Sequence, residues 1–163
     1  MGLPIDTSQS VLGLDMVGSR LFVLYDDMTL IEVNLLTNDI VDERNIADIE
    51  NAQHLAGKKA TAFAVFKDIN MLVIATDEKV HLFEYEGDLT LATMIPVANV
   101  IRIAFVDLFT VLMAESEDGS QATLSFYSMD VNEPEGSLTI NQFLGQKIIM
   151  HPGDQAIYYA TGT

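Results

Sequence analysis

The chain contains no cysteine and no tryptophan, and only 8 Lys plus Arg against 24 Asp plus Glu. Without cysteine there are no disulfides, no thiol nucleophile, and no Cys-ligated zinc or iron–sulfur centre. The scarcity of cations, with a formal net charge of −16, leaves no basic stripe able to follow a phosphate backbone. Nucleic acid and anionic membrane are therefore excluded as expected partners. No apolar run approaches the ~18 residues of a membrane-spanning helix. The N-terminus, Met1-Gly2-Leu3-Pro4-Ile5-Asp6, lacks a basic region followed by an apolar stretch. Its Met-Gly opening does not complete a myristoylation pattern, because Asp6 stands where Ser or Thr is required. These features predict a cytoplasmic protein without membrane insertion.

What is present is core-forming material. Apolar residues make up 49% of the 163 positions and charged ones 20%, a composition that folds, and the length suits one domain. The apolar segments are short, rich in Val, Ile, Leu, Phe and Tyr, and separated by Gly, Asp, Asn and Ser, which is the pattern of strands and turns. A first group predicts strands over Val11–Met16, Arg20–Tyr25, Leu30–Leu35 and Ile40–Ile46. A second repeats the plan about fifty residues on, over Ala60–Phe66, Met71–Ala75, Val80–Tyr85 and Leu89–Ile95. A third covers Val100–Val106, Phe109–Ala114, Ala122–Ser128 and Leu138–Phe143, with longer acidic turns at 115–121 and 129–137. Half of a fourth group follows, Lys147–Met150 and Gln155–Ala160, around a His151-Pro152-Gly153-Asp154 turn.

Repeats of this length, each a four-stranded meander, predict about three and a half blades of a β-propeller, an all-β fold in which neighbouring blades bury each other's faces. A β-sandwich or barrel is the alternative for so many short strands. Strand edges left by an incomplete ring need covering, so residues 1–163 are expected to be one all-β unit that belongs to a larger propeller or is completed by another chain. The segment from Ala47 to Lys59, with helix formers and a terminating Gly57, reads either as a short helix between blades or as an irregular loop.

The second strands of the repeats end on a small residue, most with an acidic turn after it, as in Met71-Leu72-Val73-Ile74-Ala75-Thr76-Asp77, Phe109-Thr110-Val111-Leu112-Met113-Ala114-Glu115 and Ala156-Ile157-Tyr158-Tyr159-Ala160-Thr161-Gly162. With the third strands Val80-His81-Leu82-Phe83-Glu84-Tyr85 and Leu124-Ser125-Phe126-Tyr127, the chain resembles the WD40-like superfamily of propellers. It lacks the Trp-Asp and Gly-His pairs of the typical repeat, so that family's hydrogen-bonded tetrad has no counterpart here. The resemblance implies a role like that of propellers in trafficking, ciliary, cytoskeletal or ubiquitin-ligase scaffolds.

Little catalytic chemistry is legible. His54, His81 and His151 fall on different repeats or connections at spacings that fit no metal motif. His81, between Val80 and Leu82, reads as an ordinary polar position on one strand face, and His151 as a turn residue. There is no Gly-Xaa-Ser-Xaa-Gly elbow and no phosphate-cradling Gly-rich loop. Carboxylates at turns are ordinarily solvated turn formers. The loop Glu115-Ser116-Glu117-Asp118-Gly119-Ser120 offers oxygen ligands, yet it lacks the ladder of a calcium loop. No cofactor or metal is expected.

The leading expectation is a non-catalytic protein–protein interaction scaffold within a hetero- or homo-assembly. Its partner-binding residues are expected to be Glu115, Glu117 and Asp118 in one acidic loop, Asn132, Glu133 and Glu135 in the next, and the basic pair Lys58 and Lys59. A strongly acidic chain favours partners with basic surfaces. Two alternatives stand beside it. One is an enzyme with two carboxylates converging in a propeller channel at raised pKa. The other is an obligate structural subunit pairing its open edges with a neighbour.

Overall fold

In a computed structural model the described residues form fourteen strands in four antiparallel sheets. The structure describes residues 4, 6, 8–66, 69–85, 87–106, 109–116, 118–128, 133–141, 148–151 and 156–159. The first sheet contains β1 (Val11–Val17), β2 (Arg20–Tyr25), β3 (Thr29–Asn34) and β4 (Asp39–Asn45) in sequence order. The second contains β5 (Ala60–Phe66), β6 (Met71–Thr76), β7 (Val80–Glu84) and β8 (Thr90–Ile95). The third contains β9 (Val100–Val106), β10 (Phe109–Glu115), β11 (Gln121–Ser128) and β12 (Gly136–Asn141). A two-stranded sheet of β13 (Ile148–His151) and β14 (Ala156–Tyr159) completes the set. β13 runs through His151, one residue into the expected turn.

Each four-stranded sheet is a blade. The inner strands β1, β5 and β9 pack side by side, with β13 beside β9, and among the described residues the series does not close into a ring. Cross-blade contacts show that these strands run parallel. Gly13 sits against Phe63 and the Asp15 carboxylate accepts the Val65 N–H at 2.8 Å. Thr61 donates its hydroxyl to the Val100 carbonyl at 2.7 Å, and the Phe66 and Phe105 rings lie 4.5 Å apart. Separate sheets stacked in series are a propeller plan, not the two facing layers of a sandwich.

The repeat is also written in the register. Each of the three inner strands carries an irregularity at its second residue, at Leu12, Thr61 and Ile101. Counting from that bulge, Leu14, Phe63 and Ile103 occupy one equivalent position, and Met16, Val65 and Phe105 another. In β5 and β9 these side chains pack against the preceding blade.

In the second blade the middle strands are buried on both faces, because a blade lies on each side. Every residue of β6 is buried, whereas the outer strand β8 alternates between exposed and half-buried positions up to its buried last residue, Ile95. Phe22, Leu24 and Leu30 of the first blade meet Leu72, Ile74 and Phe83 of the second in one core. Val73, Leu82 and Ile95 meet Val100 and Leu112 in the next.

The 47–59 connection forms neither an α-helix nor a structureless loop. It holds two 3-10 turns, Ile46–Asp48 and Gln53–Leu55. Ile46, Ile49, Ala52 and Leu55 are all buried in the core between the first two blades. Their spacing of three matches the three residues per turn of a 3-10 helix and not the α-helical period. Asn45 caps the first turn by accepting the Ala47 N–H, and Asn51 at φ 67° breaks the path between the two.

Candidate interaction surface

Strand direction divides the loops between two ends. Where the inner strands begin lie the β2–β3 turn at 26–28, the 46–59 connection, the β6–β7 turn at 77–79, the β8–β9 connection at 96–99 and the β10–β11 turn at 116–120. The opposite end carries the β3–β4 turn and the connection before β12, since Glu135 donates its N–H to Phe126 at the far end of β11. The expected partner-binding residues therefore separate. Glu115, Asp118, Lys58 and Lys59 share the first end, while Glu133 and Glu135 are exposed at the second. Glu117 and Asn132 lie outside the described residues.

At the first end, backbone hydrogen bonds tie neighbouring blades together. Asn99 donates to the Asp77 carbonyl at 3.2 Å and Glu115 donates to the Asn99 carbonyl at 3.0 Å. This brings Asp77 and Glu115 to one cleft between the second and third blades, of about 270 Å³, with Thr61, Val100, Ile101 and Ser116 along its walls. Beyond it, Asp118 is held in its own loop through one oxygen. One of its carboxylate oxygens accepts the Ser116 hydroxyl at 2.7 Å, the Ser120 N–H at 3.0 Å and the Ser120 hydroxyl at 2.7 Å. The Ser116 hydroxyl is the largest of the effects that hold the Asp118 pKa down to about 2. The loop is pre-shaped with its charge on at any physiological pH.

The two lysines are used differently. Lys58 pairs with Glu78 of the second blade, and that hydrogen bond lowers the Glu78 pKa and raises that of Lys58. Lys59 is 80% exposed and only loosely placed, its Nζ 4.0 Å from Asp26 of the first blade. Its charge is available to a partner in a way that of Lys58 is not.

Two features escaped the sequence. A cleft of about 470 Å³ between the first two blades collects Asp42, Asp48, Glu50 and Asp88 with Arg44, which bonds Asp42 at 2.5 Å. These acids come from distant segments, so no local motif announces them. His81 is 2% exposed, not an ordinary polar position, because β7 is covered on both faces. Its ring stacks on that of His54, centroids 5.2 Å apart. The nearness of two histidines separated by a connection and two strands has no signal in their spacing.

Among the described residues, no group of three or more His, Asp or Glu could hold a metal, and no helix is long and apolar enough to cross a membrane. Among the described residues the carboxylates with displaced pKa values, Asp6, Glu78 and Asp118, are displaced downward by hydrogen bonds, the opposite of what a general acid needs.

No known family description matches the sequence, and no curated protein matches it. Solved structures do match the fold. A structure of U3-55K is 14% identical, with a TM-score of 0.62 over 83% of this chain and 41% of that one. A crystal structure of the RRP9 WD40 repeats is likewise 14% identical, with a TM-score of 0.62 over 83% of this chain and 40% of that one. The fold is that of a partial WD40-like propeller. The chain spans about two fifths of the length of the solved structures it matches.

Proposed function

We propose that this WD40-like unit is a non-catalytic scaffold of a cytoplasmic multiprotein assembly, and that it binds protein partners with basic surfaces through the end where its inner strands begin. The supporting observation is that Asp77 and Glu115 meet in one cleft through interblade hydrogen bonds of Asn99, at the same end as the preorganised Asp118 loop and the exposed Lys59. Loops fixed by a rigid scaffold are suited to recognition because little ordering entropy is lost on binding. An excess of carboxylates over cations speeds encounter with a basic partner and disfavours an acidic one.

The test is binding of a Lys/Arg-rich peptide at low salt to the native chain and to the Glu115→Ser, Asp118→Ser double variant. A several-fold weaker affinity in the variant is expected, and unchanged affinity removes the acidic loop from the reading. A second reading, that the first blade takes a further blade from a longer polypeptide or another chain, is favoured by Leu14 and Met16. They are 58% and 59% exposed at positions whose equivalents in the later blades are packed. Light scattering of the purified chain tests it: a discrete oligomer, or solubility only with a second polypeptide, is expected, and a stable monomer counts against it.

A further inference from the structure

His81 lies on β7 opposite Ile74 and Met94 and, by strand alternation, on the same face as Phe83, which belongs to the core shared with the first blade. The 46–59 connection closes that core through Ile46, Ile49, Ala52 and Leu55. Next to Leu55, His54 is exposed on one side and stacked on the buried His81 ring on the other, with the planes tilted by 35°. The Nδ1 atom of His81 is buried with no hydrogen-bond partner. A neutral imidazole tolerates that position, but an imidazolium there would be a desolvated cation with one donor unused.

The polar groups around it are divided, and a backbone hydrogen bond with Ile74 favours a charge on His81 without offsetting its burial. His54 from the connection and Lys79 from the β6–β7 turn both oppose a charge on His81, and Glu78, which favours it, already carries Lys58. The first blade presents apolar Phe22, Leu24, Met28 and Leu30 to this core.

We infer that the His54–His81 stack is an acid-released latch, which holds the 46–59 connection on the second blade while His81 is neutral and lets it lift when His81 takes a proton. Burial is the main cause that lowers the His81 pKa, to about 4 from 6.5, with His54 next. The closed state is therefore fully favoured above about 6.5 and is lost as pH falls from there towards about 4. Release exposes Leu55 and draws Lys58 away from Glu78 at the end of the blades, so the device couples pH to the shape of that surface. It does not depend on that surface's partner.

The experiment is hydrogen exchange on the whole chain, corrected for the intrinsic pH dependence of exchange. It follows the amides of Leu55, Ala56 and Lys58, which donate to the carbonyls of Ala52, Gln53 and Leu55. Between pH 7.5 and 5.0 their opening is expected to become about thirtyfold more frequent, the linkage value for one proton with pKa about 4 closed and about 6.5 open. Amides of β10 and β11 report global unfolding, which also exposes His81 and so shares that slope; the latch requires the three connection amides to open more often than these at every pH, and equal frequencies overturn it. His81→Leu, which keeps an apolar filling, should abolish the pH dependence of the three amides, and retained dependence in that variant overturns the proposal. NMR of the native chain at pH 5.0 provides a measurement independent of any variant. A His81 ring still mostly neutral is expected, and a ring mostly protonated with the connection in place overturns the latch.

Discussion

The first and second blades share a strand plan, a bulge position and a turn plan, yet the same inner-strand positions have opposite environments. Phe63 of the second blade rests on Gly13, and Val65 is 8% exposed, while their counterparts Leu14 and Met16 are 58% and 59% exposed. Side-chain chemistry is alike in both. What differs is the neighbour: the second blade has one on each side, and the face of the first that bears Leu14 and Met16 has none along its inner strand among the described residues. At these inner-strand positions burial is thus set by the interface between blades, whereas Val23 and Tyr25 on the same face of the first blade are buried within their own cluster.

The comparison predicts a graded series. Leu72 is fully buried between the two blades, so Leu72→Ala should cost about 2–5 kcal/mol in urea unfolding. A cost near zero would mean that the two blades do not share a core. Gly13→Val comes next. A Cβ at Gly13 would lie 3.1 Å from the Phe63 ring, and overpacking of this kind costs about 1–3 kcal/mol. If the loss vanishes when Phe63 is shortened to Leu in the same chain, the close approach of the blades is its cause. The smallest effect belongs to the uncovered counterparts. Leu14→Ser with Met16→Ser should change the stability of the isolated chain by no more than about 0.5 kcal/mol. The same pair should reduce any self-association or binding of a further blade seen by light scattering, and a large stability loss would show that these side chains are already covered.

Much of the fold was legible because strands sandwiched between blades need continuous apolar runs and tight turns need Asp, Asn or Gly. The stretch Met71–Thr76 reads as a strand and is buried throughout. The 47–59 segment was harder. Its buried residues at 46, 49, 52 and 55 carry a period of three, which is easily mistaken for an irregular α-helical spacing when the breaking Asn51 is not known to be left-handed. Of the candidate surface, the acidic turn at Glu115 and Asp118 could be read locally, since Ser and Asp around a Gly form such turns. Its pairing with Asp77 could not, because that depends on Asn99 bridging two blades.

Composition and periodicity alone determined an acidic, cysteine-free, all-β chain of repeated four-stranded units, since those properties follow from residue counts and from the two-residue alternation of strands. Only the tertiary structure decided which end each loop occupies, which of two equivalent faces is covered and which lysine is already paired. It also turned His81 from a polar strand position into a buried ring against His54. The physical reason is the same throughout: these properties arise from contacts between residues far apart in sequence, and the stacking of blades, not local preference, sets which of those residues meet.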